Sequence, residues 1–345
     1  MKSKIDKLKN NVMFHLSLSD KELFHSNFLA WILSSDFPLV ATRRLLKLPA
    51  AGKLDVAREK KNLDLTIALD SKTLLVVENK IKSLPTRKQL EDYSEKVSAD
   101  VRKLLLAPRM FIEVCAEEIP SDWGTLAYED LASALKKDAK KSVEAPPFVR
   151  DLVRCYSEFV TAYCDILCPL KTLEKAPFFF PKKSREALDE IRLGGVCEKL
   201  RFAVLRATLK NTLNPAPTEK DFYADCFGRG SGRLDFFFTN DAKPNSKGRI
   251  VGIQMQDGQL RVGINPVTAD KTAWASKRIR GIFEKCGWTE DVKGKPSGYN
   301  NGGGKYFRYH YVKLEEDESC DSVVAKMNKV MKVLKDEAQE ILREL

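Results

Sequence analysis

The chain has little of what most membrane, secreted or zinc-dependent proteins carry. No apolar run among its 345 residues is long enough to cross a bilayer. The opening MKSKIDKLKNN lacks the apolar stretch of a secretory leader. A cytoplasmic location is the expectation. Histidine is scarce, with His15, His25 and His310 scattered along the chain, so neither a zinc site nor a Ser-His-Asp triad can be read from it. Eight cysteines form no C-x-x-C pair. Cys164 and Cys168 stand four apart near Cys155, a spacing open to a metal, but small buried hydrophobes in a reducing compartment account for them. Low-complexity tracts are also missing.

What is present is a composition 43% hydrophobic, enough to bury substantial cores and to form two domains. The net charge of +11 is spread over both halves and suits a polyanionic partner. SDKELFHSNFLAWILSS reads as a helix capped at Ser19 or Asp20, and a short helix spans 42–48. Strands follow at 54–59, 63–69 and 73–80. Pro85 then opens a helix through TRKQLEDYSEKV. RKLLLAP reads as a buried strand, TLAYEDLASALKK as a strand end and helix, and PFVRDLVRCYSEFVTAYCDIL as a longer helix. This order predicts an α/β domain over 1–175, with a mixed central sheet flanked by helices. A segment rich in proline and charge, CPLKTLEKAPFFFPKKS, sets the boundary near residue 175. An α+β domain follows over 176–345: a helix over 184–210, strands near 222–227, 234–239, 250–256 and 259–264, and a helix over 272–286. The glycine-rich SGYNNGGG then leads to the strand KYFRYHYVKL, and a charged helix runs from Asp321. GRLDFFF with VGIQMQ faintly echoes NLDLTI with LVVENK, an echo that strand chemistry alone explains.

In LVVENKIKSLPTRKQLEDY, which starts at Leu75, an apolar strand ends on Glu78 and Lys80. Alternation puts these two on one face and Asn79 on the other. Asp64, between Leu63 and Leu65, stands on the adjacent strand. If the two strands form a hairpin with an odd loop such as Asp70–Lys72, Asp64 comes opposite Glu78, with Cβ atoms roughly 5 Å apart. A loop of two or four residues would put them on opposite faces. Two carboxylates that close require a raised pKa or a cation, and a hard divalent ion such as Mg²⁺ takes oxygen donors of this kind. With Lys80 one strand step away, the set could support metal-assisted phosphodiester hydrolysis. The triplet by itself also fits a salt-bridge cluster at a sheet rim.

NLDLTIALDSKTLLVVENKIKS followed by QLEDY resembles the core of the PD-(D/E)XK nuclease superfamily. ELFHSNFLAWIL resembles the N-terminal helix of one bacterial and phage branch, and the similarity runs from about Asp20 to Asp165, including WGTLAYEDL. The resemblance implies a restriction-endonuclease-like fold and a Mg²⁺- or Mn²⁺-dependent nuclease, with endonuclease action on DNA favoured over RNA. A role in phage defence or mobile-element conflict goes with it, and a homodimer is left open. Asp64 and Glu78 would be metal ligands, with the Asn79 carbonyl and the helix-borne Glu22 beside them. Lys80 would be the catalytic lysine, and Gln89 the glutamine of the branch's Gln-Leu-x-x-Tyr pattern, with Tyr93 packing. The branch usually has Gly-Arg-Ile-Asp where this chain has KNLD, so the acid is kept while the glycine and arginine are replaced. An acid in a first helical turn also simply favours the helix dipole. His25 is read as structural.

Between Lys271 and Lys313, ten Lys/Arg stand against three acids, interleaved with aromatics. Lys277, Arg278, Arg280, Lys305 and Arg308 are candidate nucleic-acid contacts there, as are Arg87 and Lys88 beside the triplet. The rival readings are a catalytically silent nucleic-acid-binding module of the same fold and a scaffold whose charges are structural.

Overall fold

A computed structural model describes residues 2–17, 22–60, 63–167, 178, 180–212, 223–225, 234–239, 249–256, 258–264, 272–287, 297–300, 306–315 and 317–344. The chain divides into two compact units, Met1–Lys171 with Ser184–Val196, and Thr172–Lys183 with Cys197–Leu345. The boundary expected near residue 175 and the cap expected at Ser19 or Asp20 lie outside the described residues. No helix among the described residues is long and apolar enough to cross a membrane.

The first unit opens with α1 (Lys2–Lys9), α2 (Val12–Ser17), α3 (Glu22–Ser34) and α4 (Val40–Leu45). Then come β1 (Leu54–Lys60), β2 (Leu63–Leu69), β3 (Lys72–Asn79), α5 (Arg87–Ser94), β4 (Arg102–Ala107), α6 (Arg109–Val114), β5 (Trp123–Ala127), α7 (Tyr128–Lys141) and α8 (Pro147–Leu167). The five strands form one sheet in sequence order. β1, β2 and β3 pair antiparallel, and β3, β4 and β5 pair parallel. Each parallel step needs a crossover segment, which α5 and α6 provide. Leu75, Val76 and Val77 on β3 and Leu105 and Leu106 on β4 are all buried, so these strands are covered on both faces. α3 packs across β1, β2 and β3, while α7 packs on β5, α4 and α8. β1 lies at the sheet edge and exposes Asp55, Arg58 and Glu59, charges that discourage a further strand from pairing. The expected mixed sheet flanked by helices is what the chain forms.

The β2–β3 connection differs from the odd loop expected. It has two residues, Asp70 (φ 48) and Ser71 (φ 65), between Leu69 and Lys72. Two successive left-handed residues are the signature of a tight hairpin turn matched to strand twist. Such a loop alone would turn Glu78 away from Asp64. The register shifts between Ile67 and Ala68, however, from Ala68↔Thr73 to Ile67↔Leu75. Leu74 is therefore an extra, bulged residue, which restores the parity. The pairs Thr66↔Val76 and Leu65↔Val77 continue toward Asp64 opposite Glu78.

Two helices also depart from expectation. α5 starts at Arg87 rather than at Pro85, because Thr86 is extended (φ −125, ψ 141), and it ends at Ser94. The single helix expected over 184–210 is two, α9 (Lys182–Glu190) and α10 (Gly194–Thr212). Arg192 is left-handed (φ 57), and the Leu193 and Arg192 N–H groups donate to the Leu188 and Asp189 carbonyls. That is a Schellman stop, completed by the buried pair Leu188 and Leu193.

The second unit contains β6 (Tyr223–Asp225), β7 (Leu234–Thr239), β8 (Arg249–Gln256), β9 (Gln259–Ile264), α11 (Thr272–Lys285), β10 (Ser297–Asn300), β11 (Tyr306–Lys313) and α12 (Cys320–Glu344). Its strands pair antiparallel in the order β10-β11-β9-β8-β7-β6. β10 falls within the stretch read from sequence as a glycine-rich connection. Val251, Ile253, Met255, Leu260, Val262 and Ile264 are fully buried at alternate positions, as one covered sheet face requires. α12 packs on β8, and α11 on β9 and β11.

Ser71 is an L-residue held left-handed, which costs it roughly 1–2 kcal/mol. Ser71→Gly is expected to stabilise the protein by roughly 0.5–1 kcal/mol, read as a higher urea midpoint at unchanged slope. A lower midpoint would contradict the turn assignment.

Candidate active site

β2 begins beside the point where β3 ends, and the residues there form the site. The Asn79 N–H donates to Asp64 Oδ2 at 2.7 Å. Glu78 is 2% exposed and Lys80 is 6% exposed, and their charged groups meet at 2.9 Å through Glu78 Oε1. The Lys80 N–H continues the parallel ladder by donating to the Leu106 carbonyl at 2.8 Å. From α5, Gln89 Nε2 donates to the same Glu78 Oε1 at 3.1 Å and to the Tyr93 hydroxyl at 2.9 Å. Glu78 Oε2 is buried and has no hydrogen-bond donor.

Glu22, on the first turn of α3, takes a different position from a free third acid. Its Oε1 accepts from the Lys82 N–H at 3.1 Å, the Ser83 N–H at 2.9 Å and the Ser83 hydroxyl at 2.8 Å. It thereby ties α3 to the loop that leaves β3, and its charge still reaches Asp64, Glu78 and Lys80. Asn79 is fully buried on the opposite face of β3. Its Nδ2 donates to the Glu22 carbonyl and to Ser26 Oγ, each at 3.1 Å, and its Oδ1 accepts from the Tyr128 hydroxyl. Tyr128, Ser26 and Ser83 were not among the residues singled out from sequence. A tyrosine at a strand–helix junction carries no pattern that separates this role from ordinary core packing.

Burial dominates the electrostatics. It pushes the Glu78 carboxyl up to about 7; the Lys80 ammonium works against the shift, and the Asp64 and Glu22 charges add to it. Burial also raises Asp64, against the Asn79 N–H and the Lys80 charge. Burial by itself would lower Lys80, but the Glu78 and Glu22 charges outweigh it and hold the ammonium above its ordinary value. His25 is buried, so its pKa falls to about 3. It stacks on Phe159 and lies 3.0 Å from the Tyr156 hydroxyl, a neutral core residue as read from sequence.

No three His, Cys, Asp or Glu side chains form a ready cation cage among the described residues. The available donors are Glu78 Oε2, the Asp64 carboxylate and the Asn79 main-chain carbonyl. These hard oxygens match a divalent cation, and the donorless Glu78 Oε2 is the atom such an ion would satisfy.

Residues 46–158 match the family model of the PD-(D/E)XK nuclease superfamily. That stretch is similar to the PD-(D/E)XK nuclease superfamily. The match supports nuclease activity in general. No curated protein and no solved structure matches the chain. The matched stretch holds Asp64, Glu78, Asn79, Lys80, Gln89 and Tyr128. Glu22 precedes it, and the second unit follows it.

The basic candidates are placed unequally. Arg87 and Lys88 are exposed on α5, but the Arg87 guanidinium donates to the Glu117 carbonyl at 2.5 Å and lies 3.6 Å from Glu91. Lys277 and Arg280 are exposed on α11. Arg278 is not the open cation expected, because its guanidinium is held among Glu337, Glu340 and Glu344 of α12, where it braces two helices. Lys305 lies outside the described residues, and Arg308 is a β11 residue paired with Ile264. The aromatics near them are engaged in part: Tyr309 packs against Arg261, and the buried His310 lies 3.0 Å from Ser276 Oγ.

Tyr128→Phe would leave Asn79 Oδ1 buried without its donor, at an expected cost of roughly 1–3 kcal/mol; an unchanged thermal midpoint would contradict this. The Glu78 pKa makes a second prediction. The folded state holds the proton more tightly than the unfolded chain, whose value is 4.5. The stability from that proton is therefore full below about 4.5 and is lost as pH rises through about 7. Glu78→Gln keeps it. In chelator, the variant should gain on the native protein by on the order of 2 kcal/mol between pH 4.5 and 8. A pH-independent difference would count against the burial argument.

Proposed function

We propose that the first unit hydrolyses phosphodiester bonds of nucleic acid, with DNA favoured, using Mg²⁺ or Mn²⁺ held by Asp64, Glu78 and the Asn79 carbonyl. The observation that carries the reading is the donorless Glu78 Oε2, buried beside Asp64, while Lys80 stands 2.9 Å from the other oxygen of the same carboxylate. The Glu78–Lys80 pair alone does not satisfy this atom, and either a proton shared with Asp64 or a cation would. When bound, the cation supplies positive charge for the phosphate and lowers the pKa of water.

The chain's own residues do the remaining work. Lys80 presents a permanent cation to a phosphate oxygen or to the attacking water, and its raised pKa keeps it charged. Gln89 fixes the rotation of the Glu78 carboxylate by holding Oε1. Glu22 holds the 82–83 loop and adds negative potential. Hydrolysis then adds water across one P–O bond: the water oxygen bonds to phosphorus, the ester oxygen leaves, and the released proton ends on the leaving group through solvent.

The test is cleavage of supercoiled plasmid, linear duplex, single-stranded DNA and RNA with Mg²⁺ or Mn²⁺, with Asp64→Ala and Lys80→Ala run in parallel. Cation-dependent cutting by the native protein should fall at least ~100-fold in each variant. Calorimetry should show cation binding weakened in Asp64→Ala and retained in Lys80→Ala. A protein that binds nucleic acid, cuts nothing and binds cations equally with or without Asp64 would be a silent binding module. KNLD, in place of the branch's usual Gly-Arg-Ile-Asp, is the feature that favours that second reading.

A further inference from the structure

α4 and α7 enclose a groove of about 670 Å³ in the first unit. The α7 positions that line it, Asp130, Ala134, Lys137 and Lys141 among them, recur at the spacing of one helix face. Arg44 reaches it from α4. The two acids of this lining are spent internally. Asp138 is 2% exposed and accepts from the Ala41 N–H at 2.7 Å, the Thr42 N–H at 2.9 Å and the Thr42 hydroxyl at 2.7 Å. Asp130 is paired with Arg109 at 2.8 Å. Arg44, Lys137 and Lys141 are exposed and have no carboxylate within ion-pairing distance among the described residues.

We propose that this groove takes the sugar–phosphate backbone of nucleic acid, as an anchor separate from the cutting site; the inference rests on the nuclease reading above. Three unpaired cations lining one groove complement a polyanion. The rest of the lining, Val40, Leu45, Ala134 and Ser133 included, has no aromatic ring on which a base could stack and no amide to read a base edge. The contact is therefore to phosphates and is indifferent to sequence. Lys137 stands nine residues along α7 from Tyr128, whose hydroxyl braces Asn79. That is ~14 Å along the helix, about four base steps at 3.4 Å each. The anchor raises occupancy and sets orientation without touching the reacting bond.

The experiment compares the full-length native protein with Arg44→Ala/Lys137→Ala/Lys141→Ala. The control is Lys7→Ala/Lys332→Ala/Lys335→Ala, three cations exposed elsewhere. Anisotropy in chelator reads affinity for a labelled 30-base-pair DNA duplex of two unrelated sequences, the matching single strand and the matching RNA duplex, each across a salt series. The groove variant should bind at least about tenfold more weakly, equally for both DNA sequences. Its log–log salt slope should be shallower by about 2–3, near 0.9 per lost phosphate contact, at an unchanged thermal midpoint. The control should keep the native slope. Binding and slope unchanged in the groove variant, with the native protein binding well, would overturn the groove and leave the nuclease reading intact. A loss equal to that of the control would also overturn it, as general charge. Native protein that binds none of the probes would overturn the groove, while cutting with Mg²⁺ or Mn²⁺ decides the nuclease reading separately. The DNA and RNA arms identify which backbone the groove holds.

Discussion

The bond from the Asn79 N–H to Asp64 Oδ2 fixes the start of β2 against the end of β3, and the site depends on it. Asp64 can accept that bond only if it stands beside the last turn of the β3 ladder. This requires the register set by the bulge at Leu74, which in turn compensates a turn one residue shorter than an in-phase hairpin needs. One inserted or deleted residue anywhere between 64 and 78 would move Glu78 to the other face of the sheet. The sheet then receives the pair from the other side. Asn79 is gripped by Ser26 and the Glu22 carbonyl of α3 and by Tyr128 of α7, so two helices read the position of a single peptide. Backbone and side chain of Asn79 together convert a strand end, normally frayed, into a rigid point.

Rigidity at that point has an electrostatic consequence. Three acids and one lysine share a corner in which Glu78 and Lys80 are almost fully buried. Charges taken out of water cost several kcal/mol each, and one ion pair recovers only part of that. Lys80 satisfies one oxygen of Glu78 and leaves the other donorless. The remaining charge is balanced either by a proton, for which the raised Glu78 pKa is the signature, or by a cation. These are alternatives at one atom, so cation binding there would displace a proton near neutral pH. A core that served stability alone would be served better by apolar side chains of the same volume.

Much of this was legible in the sequence. The apolar run Leu74–Val77 ending on Glu78, the alternation that sets Lys80 beside it, and the helix carrying Gln89 all follow from period and composition. The face-sharing of Asp64 and Glu78 was expected from an odd loop, whereas it arises from an even loop plus a bulge. Nothing in DSKTLL marks the bulge, because Leu74 is as good a strand residue in the ladder as out of it. The Schellman stop at Arg192 was hidden for a similar reason: arginine is not a left-handed residue by preference, and the buried Leu188–Leu193 contact selects it. Arg278 looked like an open cation because its partners lie about sixty residues away on α12, beyond any local pattern. Tyr128 stands in the sequence only at the strand–helix junction of TLAYEDL; its hydroxyl acquires meaning from Asn79.

The second unit shows why the strand motif alone is insufficient. Asp235 on β7 pairs with Gln254 on β8, the same register relation that carries Asp64 toward Glu78. β8 leads straight into β9 through an antiparallel turn, and the amide of Gln254 accepts from Arg261 of β9 at 2.7 Å. β7, β8 and β9 stay within one antiparallel ladder, and the Gln254 amide is met from the neighbouring strand. In the first unit β3 instead leaves the sheet, crosses through α5 and returns as β4 in parallel. That crossover brings Gln89 onto Glu78 and holds Lys80 to the Leu106 carbonyl, and it opens the strand end where the charges gather. The chemistry of the site therefore belongs to the parallel crossover as much as to the acids, in keeping with the tendency of open α/β sheets to bind ligands at their strand ends.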